Sequence, residues 1–113
     1  MEIAKYIRIK INPERLANPD LDIRYILPDL IIENSEKFII NVGYDYLTDE
    51  SNTMLLYFET TDFDLAFRRI MEVIETKKVL DNDLKNAVEI EVGEVEAEEL
   101  LESGKYQSIY NPF

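Results

Sequence analysis

The sequence predicts an α+β domain of ferredoxin-like order, β-α-β-β-α-β, with four strands and two helices on one face of the sheet. Three observations carry this expectation. Segments of period-2 and period-3.6 hydrophobicity follow one another in that order. The length of 113 residues suits one domain with a single core. A hydrophobic content of 46 %, including seven Tyr and five Phe, sets the chain apart from disordered proteins of similar charge.

The first strand is read from residues 2–11, where Ile3, Ile7, Ile9 and Ile11 alternate with Ala4, Tyr6, Arg8 and Lys10. Asn12-Pro13 ends it. Asn18-Pro19-Asp20 has the form of a helix start, with Asn18 as cap and proline at the first position. Ile23, Ile26, Leu27 and Leu30 then recur at helical spacing, and Pro28 predicts a kink or two short helices meeting there.

Lys37–Tyr46 predicts a second strand with Phe38, Ile40, Val42, Tyr44 and Tyr46 on one face. The polar run 47–52 suits a hairpin loop, and the uniformly apolar Thr53–Glu59 suits a central third strand. Thr61 or Asp62 is placed to cap a second helix with the stripe Phe63, Phe67, Ile70 and Ile74, ending at Lys77-Lys78. After a loop around 80–85, Val88, Ile90 and Val92 alternate with Glu89 and Glu91 in a fourth strand. Glu94–Glu102 reads as a short acidic helix ended by Ser103-Gly104. The domain is thus expected over residues 1–104, with 105–113 as an aromatic C-terminal tail.

The charge is the most distinctive property. There are 24 acids against 12 bases, a net charge of −12, with no His, Cys or Trp. Such a field repels phosphate and anionic lipid, so neither nucleic acid nor membrane is an expected partner, whereas a basic protein is. Residues 81–102 alone carry nine acids and one base, Lys85. Without histidine or cysteine, the usual nucleophilic triads and thiolate metal sites cannot be built. Glycines only at 43, 93 and 104 cannot form a phosphate-binding loop. Asp81-Asn82-Asp83 opens like a calcium loop, but Lys85 stands where a further ligand is required. The expectation is a protein that is not an enzyme and has no cofactor or metal. The N-terminus lacks the pattern of a secretory signal, which points to the cytoplasm.

An interface needs aromatic anchors as well as charge. The candidate partner-binding residues are therefore Asp45, Tyr46, Asp49 and Glu50 around the hairpin, with Glu94, Glu96, Glu98, Glu99 and Glu102 of the acidic segment. Tyr106 and Tyr110 follow them. Glu89 and Glu91 have a structural reading instead: if the last strand lies beside the first, they face Arg8 and Lys10 across the sheet. Tyr6 and Tyr57 would share that face with them, which argues against base stacking of the RNA-recognition type.

The run 18–30 (NPDLDIRYILPDL), with Gly43-Tyr-Asp-Tyr46 and the later Val79-Leu-Asp-Asn-Asp-Leu84, resembles small acidic bacterial proteins. These are the immunity proteins that neutralise toxins of contact-dependent inhibition systems. The resemblance implies a cytoplasmic domain that plugs a basic toxin, such as a nuclease, with acidic residues. It assigns no role to any single residue. The alternative is a regulatory ferredoxin-like domain that binds a small ligand or assembles as an oligomer.

Overall fold

The computed structural model describes residues 3–18, 20, 22–33, 38–47, 53–80, 82–96 and 105–112. Strand β1 (Ile3–Ile11) is followed by helix α1 (Ile23–Ile32), the hairpin β2 (Ile39–Tyr46) and β3 (Met54–Thr60), helix α2 (Phe63–Thr76), β4 (Val88–Glu96) and β5 (Lys105–Tyr110). The sheet has five strands in the order β2-β3-β1-β4-β5, and every neighbouring pair is antiparallel. Among the described residues the fold is α+β with two α-helices, and the predicted four-stranded sheet is corrected to five strands.

The fifth strand comes from the segment read as a tail, because residues 105–110 pair with the outer side of β4. Glu94 and Glu96 are likewise strand residues, where the composition suggests a helix. Their phase explains the difference. Val88, Ile90 and Val92 set a period of two that Glu94 and Glu96 continue, and β1 offers partners out to Ile3. Tertiary pairing outweighs the helix propensity of a glutamate-rich run. Glu98, Glu99 and Glu102 lie outside the described residues, as do Asp49 and Glu50.

Both helices cover one face. Ile7, Ile9 and Ile11 of β1 meet Phe58, Leu56 and Met54 of β3 and Val92, Ile90 and Val88 of β4 in register. Ile23, Leu27 and Ile31 of α1 and Ala66, Ile70, Val73 and Ile74 of α2 pack onto them in one core. Each buried Ile, Leu, Val, Phe or Met side chain here contributes about 1.5–3 kcal/mol by leaving water. Strand β3 is buried on both faces except at Glu59, as expected of a central strand.

The first helix differs from its sequence signals. Helix α1 begins at Ile23, and Pro28 sits inside one continuous helix. Asn18 serves another purpose. Its backbone N–H donates to Asn82 Oδ1 (2.7 Å), Asn82 Nδ2 donates to the Asn18 carbonyl (2.8 Å), and Asn18 Nδ2 donates to the Leu80 carbonyl. An asparagine amide can donate and accept like a peptide group, so the buried Asn82 ties this loop to the chain before α1. The start of α2 behaves as predicted, with the Asp62 carboxylate accepting from the N–H groups of Asp64 and Leu65.

Strand β2 does not keep one face throughout. The pairing with β3 shifts between Asn41 and Gly43, and Gly43 takes φ +137°, a conformation that glycine adopts without a steric cost. Ile40 therefore pairs with Glu59, on the side away from the helices, whereas Tyr44 and Tyr46 pair with the core residues Leu56 and Met54. The single predicted stripe from Phe38 to Tyr46 is split by this bulge.

Candidate functional site

The structure distributes the sequence-predicted site residues over different parts of the sheet. Asp45 and Tyr46 lie on β2 at the end where Tyr46 pairs with Met54, and Met54 pairs with Ile11. Glu94 and Glu96 lie on β4 at the opposite end, facing Lys5 and Ile3 of β1. Strands β3 and β1 separate the two pairs. Tyr106 and Tyr110 sit on β5 but point to opposite faces. Tyr110 packs against the core and donates a hydrogen bond to the Lys85 carbonyl, whereas Tyr106 faces away from the helices. Only Asp45 with Tyr46, and Glu94 with Glu96, are brought together as neighbours among the described residues.

On the face away from the helices, the centre is occupied by Arg8. Its Nε donates to Glu91 Oε1 (2.9 Å), Nη2 approaches the same oxygen at 2.7 Å, and Nη1 donates to the Tyr57 hydroxyl at 3.4 Å. The guanidinium lies 3.9 Å from the ring centroid of Tyr106 and 5.9 Å from that of Tyr57. Burial works against the Arg8 charge, but the bonds to Tyr57 and Glu91 outweigh it and raise its pKa. Lys10 and Glu89 form a looser pair alongside at 3.6 Å. These are the cross-strand partnerships that the alternation of residues 2–11 and 88–92 implies. Burial of Tyr106, reinforced by neighbouring Tyr57, pushes its phenol up to about 12. This cluster is closed by its own contacts, a property of a scaffold.

A second aromatic cluster joins α1 to β2. The rings of Tyr25 and Tyr44 meet edge to face at 5.8 Å, and those of Tyr44 and Tyr46 at 5.9 Å. The Arg24 guanidinium lies 4.7 Å from the Tyr25 centroid and 5.3 Å from that of Tyr44, and it donates to the Tyr46 hydroxyl at 3.0 Å. The two hydroxyls of Tyr25 and Tyr44 share a bond of 3.4 Å. That bond, aided by Arg24, lowers the Tyr25 pKa, while the same bond to Tyr25 raises that of Tyr44. Unlike Tyr106, these rings are open to solvent: Tyr25 is 49 % exposed and Tyr44 42 %.

Sequence reasoning singled out Tyr46 here but missed Tyr25 and Tyr44 as surface groups. The bulge at Asn41–Gly43 removes Tyr44 from the phase of Val42, and no local pattern reveals that α1 lies alongside β2. The available signal was the spacing of Asp22, Tyr25 and Asp29, which places acids and an aromatic on one helical face.

At the other end of the sheet, Ile3, Ala4, Lys5, Tyr6, Glu59, Thr60 and Thr61 line an open groove of about 600 Å³. Partial burial and the nearby Glu59 charge raise the Tyr6 pKa. Among the described residues, no three acids converge as a metal site, and no helix is long and apolar enough to cross a membrane. Comparison of the chain with protein-family models, with curated proteins and with solved structures returns no match.

Proposed function

We propose that this chain is a non-catalytic binding protein that neutralises a basic protein partner, in the manner of an immunity protein blocking a toxin domain. Its core is read as ferredoxin-like over β1 to β4, extended by β5. One observation carries the reading: helix α1 presents exposed carboxylates, while Arg24 beside them and Arg8, Lys10 and Arg69 elsewhere are held in contacts within the protein. Arg8 and Lys10 are paired with Glu91 and Glu89. Arg69 donates to the Leu30 and Ile31 carbonyls at the end of α1 and pairs with Glu72. Arg24 is held among tyrosines. All four are half-buried, whereas Asp22, Asp29, Glu33, Asp45, Asp83 and Glu94 are exposed. The exposed charges over residues 22–33 are therefore all acidic. Such a field accelerates and selects association with a basic surface.

The test is co-expression with the product of the adjacent reading frame, followed by titration of the purified pair. Protection of the host and binding that weakens steeply with added salt are expected. A pair that fails to associate even at low salt would sink the proposal. The groove at Ile3–Tyr6 favours a second reading, a regulatory domain that binds a small ligand. That reading predicts ligand-dependent thermal stabilisation indifferent to reversal of the acidic residues.

A further inference from the structure

The outward face of α1 combines exposed carboxylates with exposed aromatic and aliphatic groups. Asp22, Tyr25, Ile26, Asp29 and Glu33 are all exposed, and each lies three or four positions from another of the set, so they form one stripe along the helix. Tyr44 of β2 stands beside this stripe, edge-on to Tyr25. The half-buried Arg24 lies against both tyrosine rings, so the fully exposed charges of the stripe are all carboxylates.

We infer that Tyr25, Ile26 and Tyr44 form the anchor of a docking surface whose occupant is a basic protein, with Asp22, Asp29 and Glu33 as its acidic rim. This deepens the function proposed above and rests on it. Two physical arguments favour the assignment. The tyrosines are held by each other and by Arg24 before any partner arrives, so little side-chain entropy remains to be lost on binding. Exposed apolar and aromatic groups within a rim of one charge sign match the anatomy of an interface core and rim. Charge complementarity then selects the occupant. A second copy of the chain would set carboxylates of the stripe against carboxylates, whereas lysines and arginines would meet them favourably.

The test uses the intact protein, isotopically labelled, with a short amphipathic lysine–leucine peptide as probe and its glutamate–leucine counterpart as control. Amide shifts concentrated at 22–33 and 44–46 are expected with the basic peptide only. Tyr25→Ala with Tyr44→Ala should weaken its binding at least about tenfold. Asp29→Lys with Glu33→Lys should weaken it as well. Glu94→Lys with Glu96→Lys should change it less than about threefold. The shift map of the unaltered protein stands even if a tyrosine variant fails to fold.

Basic-peptide binding mapped to Glu94 and Glu96, or elsewhere, would overturn this surface while leaving the acidic-binder function intact. Equal indifference to both peptides would overturn both. Self-association abolished by the tyrosine substitutions would assign the face to a second copy and overturn the basic occupant.

Discussion

The ring of Tyr106 rests against Gly93 in the space that any other residue at 93 would need for its β-carbon. A Cβ there would lie 2.8 Å from Tyr106 Cδ1 and 2.9 Å from the Lys105 carbonyl oxygen. The ring is further held beneath the Arg8 guanidinium, so the last strand is seated by a notch in β4 and a cation on β1. This seat turns a terminal aromatic segment into the fifth strand.

Gly93→Ala should therefore destabilise the protein by about 1–3 kcal/mol, because the backbone carbonyl of Lys105 cannot swing aside as a side chain would. Urea unfolding of the single variant and of Gly93→Ala with Tyr106→Ala measures this. The double variant should recover part of the loss through relief of the ring clash. Unchanged stability of Gly93→Ala would show that β5 is not seated this way.

Arg8→Met should cost about 1–3 kcal/mol, since it leaves the largely buried Glu91 carboxylate without its charged donors. A double-mutant cycle with Glu91→Gln checks the pairing. A coupling energy indistinguishable from zero would reduce the contact to a surface ion pair.

Arg69→Lys should loosen α1 although Arg69 belongs to α2. The planar guanidinium reaches the Ile31 carbonyl through Nε (3.0 Å) and the Leu30 carbonyl through Nη2 (2.9 Å). A lysine ammonium does not reproduce that fork. The expected cost is about 1–3 kcal/mol. Hydrogen exchange should accelerate in the last turn of α1 more than in α2, and uniform acceleration would contradict the specific role.

The tyrosines should titrate in a defined order. Tyr25, hydrogen-bonded to Tyr44 and close to Arg24, should ionise below the ordinary phenol value, and Tyr44→Phe should move it back toward that value. Tyr106 should ionise at about 12. A folded-state pKa raised above the unfolded 10 means that the unfolded chain releases this proton first. The stability linked to Tyr106 is thus complete below pH 10 and is lost as pH rises toward 12. Tyrosinate absorbance should lose its last step in Tyr106→Phe. An unchanged curve would place the late titration elsewhere.

Much of the fold is legible locally because it depends on periodicity. The alternation of Ile7, Ile9 and Ile11 with Arg8 and Lys10 specifies both faces of β1, and the same alternation in 88–92 positions the partners Glu89 and Glu91. Asp62 announces α2 because a cap acts within three residues. The candidate site was less legible. Tyr46 joins the Tyr25–Tyr44 cluster, but Asp45 alternates to the other face of β2, and Glu94 and Glu96 lie diagonally across the sheet.

By itself, the sequence determined the acidic balance, the alternating faces of the inner strands, the amphipathic second helix and the lack of histidine and cysteine chemistry. These are properties of single residues or of neighbours a few positions apart. Tertiary structure alone decided the rest. It made residues 105–110 a strand, because an unpaired edge of β4 and the notch at Gly93 are created by distant segments. It split β2 at a bulge, which only pairing with β3 defines. It turned Arg8, Lys10, Arg24 and Arg69 inward and left the acids of α1 outside, since a charge finds its partner through space and not along the chain.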